Sequence, residues 1–221
     1  MKVILTSDFP SDGNEEVFSY LKTLHDNPRI AWIPPFTDTA RARFSNHCQI
    51  FKRHGFHNLA YCDIDQEIDT TQLEKLAGND VVYLTGGDPI VFRRNILRSG
   101  LSGYLRQFLQ NDGVLIAASG GSMQLTKNLS LFRLHGASLN ETLATRGELE
   151  ALAIFDYELL PHYNRFGGDF IRKVRQYSEH VNHEIVALND GAALLHASRS
   201  EYKSIGETFR FRNGEELGSL A

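Results

Sequence analysis

Five apolar residues run straight into a serine and two glycines in Val114-Leu115-Ile116-Ala117-Ala118-Ser119-Gly120-Gly121-Ser122. A buried strand ending in a small-residue turn, with a hydroxyl at its tip, has the layout of a nucleophile elbow. There the serine sits on a tight strand-to-helix bend and projects above the sheet edge. The elbow asks for a small residue two positions before and two after the serine. Gly121 meets the second condition and Ala117 stands in for glycine at the first. Ser122 is a rival nucleophile, but Gln124 occupies its small-residue position and it lies beyond the strand. A plain strand-to-helix turn fits the same residues, so the motif needs its context.

A serine hydroxyl attacks efficiently only when a histidine takes its proton and a carboxylate holds the imidazole in the right tautomer. Backbone N–H groups must then receive the oxyanion. Four polar clusters offer such groups: Thr85-Gly86-Gly87-Asp88, Ser119-Gly120-Gly121, Pro161-His162-Tyr163-Asn164 and Asn189-Asp190-Gly191. Each follows an apolar run, and ligands of open parallel sheets bind outside the carboxyl ends of the strands. If the four ends share one edge, a serine, a histidine and an acid converge. Gly120, next after the serine, would give one oxyanion donor, and Gly87 the other, since glycine lets its backbone approach closely. Each cluster also has a plainer use. Asn189-Asp190-Gly191 is a good β-turn, and Gly86-Gly87-Asp88-Pro89 is a turn into a capped helix whose N-terminus suits a phosphate.

The elements that must carry these clusters alternate along the chain. Strands are expected at Val3–Leu5, Ile30–Ile33, Leu59–Cys62, Val81–Leu84, Val114–Ala118, Ala153–Leu160, Ile185–Leu188 and Ala192–His196. Helical spacing marks Glu15–Leu24 and Asp38–Arg53, and Thr71 with Glu74 suggests a capping box for a short helix ending near Gly78. Asp88 as N-cap with Pro89 at the first position starts a helix to about Arg98. The helix breaks at Ser99-Gly100 and resumes with Tyr104, Leu105, Phe108 and Leu109 on one side. Asp169 is the expected cap of a helix carrying Phe170, Val174, Tyr177 and Val181. Phe209–Arg212 alternates and reaches Asn213-Gly214, a hairpin turn. The β-α-β-α order, with strands apolar on both faces, predicts a three-layer α/β fold. It is a mainly parallel sheet with helices on both faces and a C-terminal β-hairpin, in one domain over residues 1–221.

With 221 residues, 42% of them hydrophobic, the chain is long enough for one full core. A net charge of −4 leaves no electrostatic footprint for nucleic acid or an anionic membrane. No run approaches the ~20 apolar residues of a membrane span. The opening segment meets Asp8 too early for a signal peptide. Cys48 and Cys62 then read as reduced thiols in a soluble cytoplasmic protein. Neither lies at an elbow, which argues against a thiol-based enzyme. His54 with His57 and His180 with His183 lack a clear third ligand, so no metal is expected. No dinucleotide or Walker-type glycine pattern is present, and no cofactor is expected.

Together the motifs resemble the peptidase E (aspartyl dipeptidase) family of serine peptidases, related in fold to class I glutamine amidotransferases. The resemblance spans most of the chain. It rests on Tyr83-Leu84-Thr85-Gly86-Gly87-Asp88, Ala118-Ser119-Gly120-Gly121, Leu159-Leu160-Pro161-His162-Tyr163 and Leu188-Asn189-Asp190-Gly191. It implies Ser119 as nucleophile, His162 as base, and Gly87 and Gly120 as the oxyanion hole. Family elbows usually read Ser-Ala-Gly, so Gly120 is a departure. The acid matches Asp190, one methylene shorter than the glutamate of some relatives, with Glu141 as second choice. The implied substrate is a small peptide, with N-terminal aspartyl dipeptides the known case. Arg165 and Arg172 are the nearby cations for such a carboxylate, although solvated arginines are the plainer reading. A homo-oligomer is left open. The competing expectation is a binding or regulatory module that keeps the scaffold without the chemistry.

Overall fold

The protein is described by a computed structural model covering residues 1–11, 13–65 and 76–219. The capping box expected at Thr71 and Glu74 lies outside the described residues. The chain runs β1 (Lys2–Thr6), α1 (Glu15–Leu24), β2 (Arg29–Ile33), α2 (Ala42–Arg53), β3 (Asn58–Tyr61) and β4 (Val81–Leu84). It continues through α3 (Pro89–Arg98), α4 (Leu101–Gln110), β5 (Val114–Ala118), α5 (Gly120–Met123), α6 (Ser130–Arg133) and α7 (Leu139–Ala144). Then come β6 (Tyr157–Leu160), α8 (Gly168–Ser178), β7 (Glu184–Leu188), β8 (Ala193–His196), β9 (Tyr202–Ile205), β10 (Thr208–Arg212) and β11 (Glu215–Ser219).

The main sheet has the order β3-β2-β4-β5-β1-β8-β9. From β3 to β1 all pairs are parallel, while β8 pairs antiparallel with both β1 and β9. The strands are continuous apolar runs because both faces are buried. Their two-residue period sends alternate side chains into separate cores. Val3, Leu5, Val82, Leu84, Leu115 and Ala117 meet Phe92 and Ile96 of α3 and Leu101 and Leu105 of α4. On the other face Ile4, Val81, Tyr83, Val114 and Ile116 meet Val17, Phe18 and Leu21 of α1 and Phe51 of α2. The expected three-layer α/β architecture is therefore present. No described helix is long and apolar enough to cross a membrane.

Three local expectations change. β6 and β7 do not extend the main sheet. They pair parallel with each other and join β10 and β11 in a second sheet of order β11-β10-β7-β6. The free edge of β1 is taken by β8, so no further parallel strand can add there. The strand expected from Ala153 begins only at Tyr157. Leu152, Ala153, Ile154 and Phe155 instead donate their N–H groups to the carbonyls of Gln124, Thr126 and Leu125, wrapping the segment after the elbow. The helix expected to be capped by Asp169 starts two residues earlier, with Gly167 as its cap, so Asp169 lies in its first turn. The hairpin at Asn213-Gly214 closes β10 onto β11, with φ of 51° and 82° at the two turn residues, as a tight turn demands.

Candidate active site

Ser119 follows β5 with φ 49° and ψ −117°, a left-handed conformation that a residue bearing a Cβ adopts at a cost. The chain is held there from several sides. The Ser119 N–H donates to the Thr6 carbonyl at 3.0 Å, and its carbonyl accepts from Met123 N–H at 3.1 Å. A Cβ at Gly121 would strike the Leu84 carbonyl oxygen and lie 2.7 Å from that of Thr85, so the elbow needs glycine there. Ser122, the rival, is fully buried. Its hydroxyl lies 2.9 Å from the Thr6 carbonyl and 2.7 Å from the Ala117 carbonyl, and it accepts from the Thr6 N–H at 3.2 Å. It ties β1 to β5 and has no access to a ligand.

His162 reaches Ser119 from the end of β6, in the second sheet. Its backbone is left-handed at φ 59°, ψ 33°, and its N–H donates to Ser7 Oγ at 2.7 Å. Nε2 lies 2.9 Å from Ser119 Oγ. Nδ1 lies 2.7 Å from Asp190 Oδ1, beyond the end of β7. A carboxylate only accepts, so this contact assigns the imidazole proton to Nδ1 and leaves Nε2 free to accept from the serine. Two sheets thus meet at one edge, and the parallel pairing of β6 with β7 sets histidine and acid side by side.

Asp190 is anchored on all sides. Its N–H donates to Asn164 Oδ1 at 2.9 Å, and the next N–H, of Gly191, donates to Asp8 Oδ1 at 2.6 Å. Arg165 Nε donates to its Oδ2 at 2.6 Å. Partial burial alone would raise the Asp190 carboxyl. The hydrogen bonds and charges of Arg165 and His162 outweigh it and hold the group below the ordinary carboxylate value. The carboxylate therefore stays ionised through the range in which a histidine titrates. Replacing Arg165 with alanine removes that hold, so the Asp190 carboxyl is expected to titrate at higher pH in the variant, as followed by carboxyl-carbon NMR. A carboxyl that titrates unchanged or at lower pH contradicts this role.

The other expected groups fall as follows. Gly87, at φ 141°, precedes the N-cap Asp88, whose Oδ1 accepts from Ile90 and Val91 N–H at 2.8 and 3.0 Å. A Cβ at Gly87 would stand 2.6 Å from Pro35 Cγ. Gly120 opens α5, where a first-turn N–H has no partner within its helix. A Cβ on Gly120 would collide with the Gly87 carbonyl oxygen. The departure from Ser-Ala-Gly is thus matched by the neighbouring turn, which fills the space of the missing methyl. Glu141 closes a capping box with Ser138 on α7, and its carboxylate accepts from the Ser138 N–H at 2.8 Å and hydroxyl at 2.7 Å. Arg172 is highly exposed and pairs with Asp169. Cys48 and Cys62 form no disulfide with each other.

Several site residues were not anticipated from the sequence. Ser7 and Asp8 directly follow β1, so the strand-end rule that found the four clusters would have found a fifth. Arg43 on α2 donates to the Gly86 carbonyl at 2.8 Å and braces the glycine turn, with no sequence signal. A cavity of about 240 Å³ opens in front of Ser119, Gly87, Gly120 and His162. It is walled by Met123, Phe132, His135, Leu160 and Phe166, with Arg165 also lining it.

The sequence profile of peptidase family S51 matches residues 3–202. The chain belongs to peptidase family S51. As an S51 member it is a serine peptidase, a hydrolase whose substrate is a peptide. An uncharacterized peptidase of Pasteurella multocida is 28% identical over 146 residues, covering 63% of this chain and 67% of that protein. An uncharacterized peptidase of Listeria monocytogenes is 26% identical over 95 residues, 43% of this S51 chain and 44% of that one. Among solved structures, a Listeria monocytogenes protein described as a candidate peptidase E has a TM-score of 0.71 at 20% identity, over 93% of this chain and 98% of its own. A peptidase from an acI-B1 actinobacterium has a TM-score of 0.69 at 16% identity, over 98% and 96% of the two chains. At those identities the structural likeness is one of fold.

Proposed function

We propose that this S51 peptidase cleaves short peptides through an acyl-enzyme on Ser119. The observation that carries this reading is the unbroken contact chain from Ser119 Oγ to His162 Nε2 at 2.9 Å and from His162 Nδ1 to Asp190 Oδ1 at 2.7 Å. His162 takes the hydroxyl proton as Ser119 Oγ bonds to the scissile carbonyl carbon. Asp190 keeps the ring oriented and stabilises the imidazolium that forms. The negative charge on the carbonyl oxygen is received by the N–H groups of Gly87 and Gly120, which flank the cavity mouth beside Ser119. The C–N bond then breaks, His162 gives its proton to the departing amine, and the acyl group remains on Ser119. A water, deprotonated by the same imidazole, attacks the ester and releases the carboxylic acid.

An N-terminal aspartate is the substrate side chain suggested by the sequence resemblance, and Arg165 is the arginine that lines the cavity before Ser119. Its Nε is committed to Asp190. Serine hydrolysis of a small peptide is therefore the function proposed, with side-chain preference a separate matter. A fluorophosphonate probe tests the chemistry. The expected result is one adduct per chain, mapped to Ser119 by mass spectrometry. Folded protein that hydrolyses peptides yet never carries the probe on Ser119 overturns the proposal.

A further inference from the structure

The cavity before Ser119 is small, apolar and aromatic. At about 240 Å³ it is below the roughly 300–1,000 Å³ of pockets that hold whole drug-sized ligands. It therefore suits one side chain of a substrate rather than an extended ligand. Its wall is a packed ring cluster. His135 stacks on Phe170 at 4.4 Å between centroids and 18° between planes, and lies 5.0 Å from Phe166 and 6.0 Å from Phe132. Burial, and then the charge of Lys173, push the His135 imidazole below its ordinary value, so the ring is a neutral aromatic surface near pH 7. Larger clefts occur elsewhere, but one of about 540 Å³ around Asp80, Tyr104 and Asp112 opens at the amino ends of β4 and β5, away from Ser119.

A carboxylate is poorly served in this cavity. Arg165 is the one arginine or lysine among the described lining residues, its Nε is held by Asp190, and its side chain is 57% exposed at the rim. An aspartate side chain carried inward past Arg165 would lose water against Phe132, Phe166, Met123 and Leu160 without gaining a charged partner there, which is strongly unfavourable. A phenylalanine or leucine side chain would exchange water for those same surfaces at a gain.

Resting on the proposed Ser119 chemistry, we infer that this cavity is the specificity pocket for a large apolar or aromatic side chain beside the scissile bond. The peptidase then prefers short peptides carrying phenylalanine or leucine at that position over those carrying aspartate. Two dipeptide series, Xaa-Ala and Ala-Xaa with Xaa as Phe, Leu or Asp, probe both sides of the bond. In one series kcat/KM for Phe and Leu is expected to exceed that for Asp by about 30-fold or more, the effect of burying one such side chain. In Phe132→Ala and Phe166→Ala that ratio collapses by about tenfold or more, since each substitution removes part of the apolar wall. A ratio within one preparation does not depend on the fraction of protein folded. Fluorophosphonate labelling of the same wild-type sample separates the two possible failures. Labelling at Ser119 with aspartyl dipeptides preferred, with no cleavage of Phe or Leu dipeptides, or with ratios unmoved by both substitutions, overturns the pocket assignment and leaves the nucleophile standing. Absence of both labelling and cleavage overturns the nucleophile and this inference with it.

Discussion

Ser119→Ala lowers kcat by on the order of 10⁴- to 10⁶-fold while the thermal midpoint barely moves. The change removes one oxygen, whose contact within the protein is to His162 Nε2. Alanine retains the Cβ, so it sits on the same left-handed backbone at the same conformational cost, and the hydrogen bonds to Thr6 and Met123 use main-chain atoms that stay in place. Chemistry and stability therefore separate at this position. Residual turnover, with water replacing the hydroxyl, is supported only by the oxyanion donors and by substrate binding. Initial rates on a peptide substrate together with a melting curve check both halves. Hydrolysis undiminished in Ser119→Ala is incompatible with the mechanism, whereas a large drop in melting temperature would make the serine a structural residue.

Asp190→Asn is expected to lower kcat by about 10⁴-fold through the tautomer of His162 rather than through its position. Arg165 Nε donates to Oδ2, so the asparagine carbonyl turns toward Arg165 and the amide NH₂ toward His162 Nδ1. The amide then donates to Nδ1, the imidazole proton moves to Nε2, and Nε2 can no longer accept from Ser119 Oγ. Glu141→Gln is the contrasting variant. Glu141 is exposed and serves the capping box with Ser138, which glutamine also completes, so activity is expected to change less than about twofold. Steady-state kinetics on the pair decide which acid matters, and a large loss in Glu141→Gln with little in Asp190→Asn would reverse the assignment.

What was legible in the sequence was local. β4 and β5 are apolar on both faces, so each appears as an unbroken run whose polar successor marks the candidate site's edge. The glycines at 87 and 121 were legible for the same reason: close backbone approach and left-handed torsion leave few other residue types. The second sheet was not legible. An apolar strand such as Leu159-Leu160 has the same pattern in either sheet, and only the capture of the β1 edge by β8 decides where it pairs. The grip of Arg165 on Asp190 was equally hidden, because it depends on how two strand-end loops meet rather than on spacing along the chain. Phe132 lies on the four-residue helix α6 and His135 and Phe166 on connecting segments, all too short to show a periodicity, so their shared cavity emerges only once α6, β6 and the elbow have packed together.

The most direct test of the central claim is to catch the acyl group on the enzyme. With an activated ester such as a p-nitrophenyl ester of an N-acyl amino acid, acylation outruns deacylation and the covalent species accumulates. Acid quenching within a few turnovers, followed by peptide mass mapping, is predicted to find the acyl mass on Ser119, near one per chain and absent from Ser119→Ala. Sustained turnover of the ester with Ser119 unmodified, or with the acyl group on another residue, would contradict the account.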